Sequence, residues 1–108
     1  MPIDHLGRMD TTKLLLESIA TRKCVETVYN RMAVKLAPHI LYTRHDELFI
    51  DAVTIEREGK PPREIKIGTF KLAGLSQLAL TNQEFQPETI FDPADSKYAG
   101  VTLFAVER

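Results

Sequence analysis

Apolar and polar positions follow two different periods along this chain. Before residue 23 the spacing is helical, and from Cys24 onward it is close to two. After a short polar leader with Pro2 and Gly7, Asp10, Thr11 and Thr12 offer N-cap oxygens to a helix over residues 13–22. Leu15, Leu16, Ile19 and Ala20 form its apolar stripe, with Lys13, Glu17, Ser18 and Arg22 outside it, as expected of a helix lying over a sheet. Val25, Thr27 and Tyr29 then alternate with Cys24, Glu26 and Val28 in a strand dense in β-branched residues, and Asn30-Arg31 turns the chain.

The stretch from Val34 to Ala52 reads as two extended segments joined by the polar run Thr43-Arg-His-Asp-Glu47. In the first segment Val34, Leu36 and Ile40 fall on one face and Lys35, Ala37 and His39 on the other. Pro38 lacks an amide donor and so belongs on an edge or at a bulge. Residues 48–55 are apolar on both faces, the pattern of a central strand covered on two sides. A loop is expected over 56–63, with Gly59, Pro61 and Pro62, and a strand over 64–70 with Ile65 and Ile67 inward. Residues 71–77 suggest a helical turn broken by Gly74, and residues 78–80 a strand ending in a turn at Thr81-Asn82. An irregular tail over 85–99, anchored by Phe85, Ile90, Phe91 and Tyr98, leads to a last strand over 101–106. One helix and five or six short, closely spaced strands predict a mainly β domain. The expected form is a small, strongly bent sheet or partly open barrel.

Composition refines this picture. At 108 residues, 44% hydrophobic and 27% charged, the chain suits one globular domain with one modest core. The formal charge of −1 gives no bulk attraction to nucleic acid or membrane, but its distribution is uneven. Between residues 22 and 45, five cations (Arg22, Lys23, Arg31, Lys35, Arg44) face the single anion Glu26. From residue 72 to the end, five anions face two cations. Cys24 is the only cysteine, set among apolar neighbours, and reads as a packing thiol. With no signal-like segment and no apolar run of about 20 residues, a cytoplasmic location without membrane insertion is the expectation.

These residues, in this order, resemble a WYL domain. The motifs are Val25-Glu-Thr-Val-Tyr29, Leu36-Ala-Pro-His-Ile-Leu41, Leu48-Phe-Ile-Asp-Ala52 at the name-giving strand, Phe70-Lys-Leu-Ala-Gly-Leu75 and Leu80-Thr-Asn-Gln-Glu-Phe85. The resemblance covers about residues 14–86 and departs from the family at several points. Leu48-Phe49 stands for Trp-Tyr, Val34 for an Arg, and Lys71 and Gly74 for the two arginines of the fourth motif. It implies an Sm-like or SH3-like barrel with an N-terminal helix. The single WYL-like domain spans 1–108, with its core at about 12–86 and a tail plus last strand over 87–108. It further implies a regulatory sensor for a negatively charged ligand, such as a nucleotide or single-stranded nucleic acid, often beside a DNA-binding or effector partner. No helix-turn-helix fits in this chain.

The expected ligand face combines Arg31, Lys35, His39, Arg44 and Lys71 as charges with Tyr29 as an aromatic contact. Lys71 enters through the resemblance and Arg44 through charge and proximity. Cations neutralise phosphates and a ring stacks on a base, which is what such a site requires. No catalytic, metal or cofactor pattern appears: His39-x5-His45 fits no ligand spacing, and His45-Asp46 lies in a turn where polar residues belong anyway. The rival expectation is a protein–protein interaction or dimerisation module; a homodimer is expected and is compatible with either.

Overall fold

The structure, a computed structural model, describes residues 3–107, with side chains described from Asp10 onward. A helix, α1 (Ile3–Thr21), precedes six strands. These are β1 (Lys23–Tyr29), β2 (Met32–Arg44), β3 (Glu47–Arg57), β4 (Ile67–Lys71), β5 (Ser76–Glu84) and β6 (Thr102–Ala105). They form one antiparallel sheet in the order β4-β3-β2-β1-β5, with β6 paired to β2. A single 3-10 turn, Leu72–Gly74, joins β4 to β5, which lie at opposite ends of that order. So short a link requires the sheet to bend back on itself. Tyr29 at the end of β1 meets Phe70 of β4 edge to face, with centroids 5.0 Å apart. The close approach is possible because residue 74 is glycine: a Cβ there would stand 2.9 Å from Tyr29 Cε1. β4 and β5 do not pair, so the bent sheet stays open, and the expected mainly β fold with an N-terminal helix is the one observed.

Three boundaries differ from the pattern reading. The helix begins at Ile3, so Asp10–Thr12 lie within it and do not cap it; only Gly7 weakens the preceding turns, at about 1 kcal/mol. Among its described side chains, Leu15, Ser18 and Ile19 are buried, whereas Leu16 and Ala20 are exposed. Ser18 tolerates burial because its hydroxyl donates to Lys23 O at 2.6 Å. Arg22 then takes a left-handed conformation, φ 56°, and ends the helix. β5 runs on through Thr81-Asn82, where a turn was expected. β4 starts only at Ile67, leaving Ile65 outside it and 53% exposed.

β2 organises the sheet. β3 takes one of its edges over almost its full length, so β1 and β6 share the other, β1 on residues 32–36 and β6 on residues 40–42. Pro38 sits at the changeover, beside a bulge: Pro38 faces Ala52 and Ile40 faces Asp51, which leaves His39 as the extra residue. A compensating extra residue, Ile55, lies on β3 between the pairs Lys35–Glu56 and Leu36–Thr54. The His39 bulge reverses the alternation. Ile40 therefore falls on the face of Tyr42 and Asp51, not on the face of Val34 and Leu36 as the uninterrupted pattern predicts.

The segment after β5 crosses back over β2–β4 and is pinned there. Phe85, Phe91 and Tyr98 are buried, as expected, but Ile90 is exposed. The main anchor is Asp51, fully buried in β3. Its carboxylate accepts from Tyr42 Oη (2.6 Å), Thr69 Oγ1 (2.8 Å), Lys97 Nζ (2.8 Å) and Tyr98 Oη (2.5 Å). Burial pushes the Asp51 carboxyl up, but these four hydrogen bonds together outweigh it and hold the group below the ordinary aspartate range. The same burial, with Asp51 beside it, pushes Tyr42 up to about 12 and Tyr98 higher still, so both hydroxyls remain donors. Asparagine at 51 would offer a donor where four donors converge. Asp51→Asn should cost on the order of 3 kcal/mol and lower Tm by more than about 10 °C. Thermal unfolding by circular dichroism checks this, and an unchanged Tm would show that the four bonds only balance the desolvation.

Candidate nucleotide-binding site

The two-residue turn Asn30-Arg31, with φ 50° and 66°, fixes the register of the first hairpin. Tyr29 faces Met32, so it shares the inner face with Val34 and Leu36 and packs on Phe70. It is not on the face of Lys35, where the ligand reading placed it. Glu26 pairs with Lys35 on β2, and Lys35 with Glu56 on β3, so two carboxylates flank this lysine across the strands. Its ammonium is 2.9 Å from Gln83 Oε1 and 3.7 Å from Glu56 Oε2. Its side chain is only 16% exposed.

His39 is not an outward cation either. It is fully buried between Phe85 and Phe91, with centroids 5.1 and 5.3 Å away. Nδ1 lies 2.7 Å from Ala37 O and Nε2 3.0 Å from the Glu88 amide nitrogen. These partners define a neutral ring that donates from Nδ1 and accepts at Nε2. The physical reason is the bulge, which removes His39 from the alternation that Lys35 follows.

Arg44 and Lys71 gather at the other end of β2. Arg44 faces Glu47 at the β2–β3 turn, and Lys71 of β4 pairs with Phe49 of β3, its ammonium 6.0 Å from that ring and 3.1 Å from Glu47. The six expected ligand residues therefore do not converge. Arg31 and Lys35 lie at one end, Arg44 and Lys71 at the other, and Tyr29 and His39 are turned into the packing.

A half-open cavity of about 330 Å³ lies at the Arg31–Lys35 end. Glu26, Val28, Val34, Lys35, Glu56 and Gln77 are among its walls, with Gly59 at its margin. Its volume is at the lower end of the range of small-molecule sites. Gln77 stands at a bulge of β5 with φ 52°. The loop after β3 is tied to the first hairpin there, since Glu58 N donates to Ala33 O (2.8 Å) and Ala33 N donates to Glu58 Oε1 (2.9 Å). That tie brings Arg57, Lys60 and Arg31 to one end of the sheet. Sequence reasoning missed Glu26, Glu56 and Gln77. The first was within reach, because a two-residue turn at Asn30-Arg31 obliges Glu26 to face Lys35. Cys24 is buried beside this region, its thiol pushed up by burial, in keeping with a packing role.

No family model, curated protein or solved structure matches this chain. No helix among the described residues is long and apolar enough to cross a membrane.

The neutral form of His39 makes stability depend on pH. Burial lowers its pKa below the ordinary 6.5, against the Ala37 carbonyl and Glu88. A group with a depressed folded pKa that is neutral in the folded state contributes fully above 6.5, and its contribution is lost as the pH falls through the folded value. Stability should therefore decline on acidification below pH 6.5. His39→Gln should be less stable at neutral pH by about 1–3 kcal/mol and flatter across the interval down to the carboxylate range. Urea titrations from neutral pH to about pH 4.5 check this, and equal slopes in the two proteins would refute it.

Proposed function

We propose that this chain is a non-enzymatic, WYL-like regulatory domain that binds a negatively charged ligand, a nucleotide or single-stranded nucleic acid. The observation that carries this reading is the cavity walled by Lys35 at the end of the sheet where Arg31 also stands. The order of helix, strands and 3-10 turn agrees with the Sm-like architecture that the resemblance implies. Lys35 supplies a partly desolvated ammonium at the wall, and Arg31 and Lys60 supply charge at the same end of the sheet. Arg44 and Lys71 belong to a second cationic group at the far end, which is balanced by Glu47.

A second reading, an interaction or dimerisation module in the cytoplasm, is favoured by β6. This short strand pairs with β2 alone, and it exposes Leu103 and Phe104 at 54% and 38%. An apolar edge of this kind is a surface on which another chain can add a strand.

Fluorescence anisotropy with a labelled single-stranded oligonucleotide separates these readings. Arg31→Glu with Lys35→Glu should remove most binding while the circular dichroism spectrum is kept, and log K should fall with log salt by roughly 0.7 per phosphate contacted. Loss in Arg44→Glu with Lys71→Glu instead would move the site to the far end. No binding at low salt, together with a concentration-dependent dimer by light scattering, would favour the interaction module.

A further inference from the structure

We infer that the Lys35 cavity selects its ligand by hydrogen-bond donors as well as by charge, and that among nucleotides it prefers guanine. The inference rests on the nucleotide-binding reading and deepens it. A site for phosphate alone would put its cations inside and keep carboxylates away. This cavity holds one cation and adds two carboxylates: Glu26 and Glu56 stand on either side of Lys35, so the lining carries more negative than positive charge.

The two carboxylates are not equivalent. Glu56 is engaged by Lys35 at 3.7 Å, whereas Glu26 has no hydrogen-bond or ion-pair partner among the described residues. Lys35 itself is held by Gln83 and Glu56 and is not free to turn toward Glu26 without breaking those contacts. An exposed, unengaged acceptor therefore stands in the cavity lining, on the same face as the apolar Val28 and with Gln77 also in the lining. Arg31 and Lys60, which also have no ion-pair partner among the described residues, stand at the same end of the sheet through the tie between Glu58 and Ala33. An unengaged acceptor thus stands in the lining, and unpaired cations stand at the same end of the sheet.

That polarity fits a planar ring inserted edge-first with its phosphate left outside. Guanine carries two adjacent donors on one edge, N1–H and the 2-amino group, and a carboxylate accepts such a pair with both oxygens. Adenine and cytosine offer one amino group beside an acceptor. Uracil and thymine set a single N–H between two carbonyls, which a carboxylate repels. The phosphate then meets Arg31 and Lys60, which make no distinction among bases.

Amide chemical-shift titrations of the full chain with GMP, AMP, CMP and UMP at low salt test this. GMP should bind tighter than UMP by about tenfold or more, as one bidentate contact provides. Glu26→Gln should bring the four affinities within about threefold of one another while keeping the amide spectrum, because its amide presents a donor to one of guanine's donors. Arg31→Glu should weaken all four alike. Equal affinities in the wild type overturn base selection and leave the anion-binding reading standing. A Glu26→Gln variant that binds all four more tightly by the same factor also overturns it, since the carboxylate then acts as a repulsive charge only. Binding of a lysine- or arginine-rich peptide at Glu26 in place of any nucleotide overturns it in favour of a protein partner. Absence of binding by all four mononucleotides and by a single-stranded oligonucleotide overturns the nucleotide reading itself.

Discussion

The carboxylate of Asp51 is the point on which the second half of this structure depends. Four donors reach it, from β2, β4 and two consecutive positions of the segment after β5. An ionised group without solvent exposure is costly, and a single ion pair with Lys97, whose own side chain is 43% exposed, would not offset that cost. The two tyrosine hydroxyls and Thr69 tip the balance, because each meets a full negative charge. With them in place, a stretch that has almost no regular structure between residues 85 and 101 can cover the outer face of β2–β4. Phe91 and Tyr98 fill the space beneath it. Lys97 lies 5.3 and 5.9 Å from the Tyr98 and Tyr42 rings and closes the site from solvent.

The paired bulges explain why this arrangement was only half legible in the sequence. Strand periods, the turns at Asn30-Arg31 and His45-Asp46, the loop after β3 and the role of Pro38 all follow from local chemistry that a reader of residues possesses. A bulge does not announce itself in this way. His39 looks like one more member of an alternating strand, and its removal from the ladder reverses the facing of every residue from Ile40 to Arg44. Ile55 restores the register on β3, so the hairpin closes as though nothing had been inserted. Asp51 did carry a signal: an aspartate within an otherwise apolar strand must have buried partners. Their identities, Lys97 and Tyr98, lie too far along the chain for any local rule to supply.

The expected ligand residues were separated by the same geometry. Charge counting puts Arg31, Lys35 and Arg44 in one basic field, yet β2 is thirteen residues long, with Arg31 in the turn just before it, Lys35 near its start and Arg44 at its end. Tyr29 lies on the face opposite Lys35, not beside it as the ligand face expects, because the turn after it holds two residues. With the register fixed at two residues, Tyr29 must join Val34 and Leu36. Ring contact with Phe70 and the missing side chain at Gly74 then give it a structural task, that of holding β1 against β4 where the sheet bends.

What remains is a division of labour along β2. Beyond Pro38 its outer face is covered by the anchored segment, and its polar groups are satisfied within the protein: His39 by Ala37 and Glu88, Asp51 by its four donors. Before Pro38 the covering stops. There the outer face keeps Glu26 without a partner among the described residues, Lys35 largely enclosed, and a strained Gln77 in the lining of an open cavity. Polar groups that the fold has used to close itself cannot also be spent on a ligand without unfolding the segment they hold. On the proposed binding reading, recognition falls to the other end of the sheet, where Glu26, Arg31 and Lys60 have no ion-pair partner among the described residues.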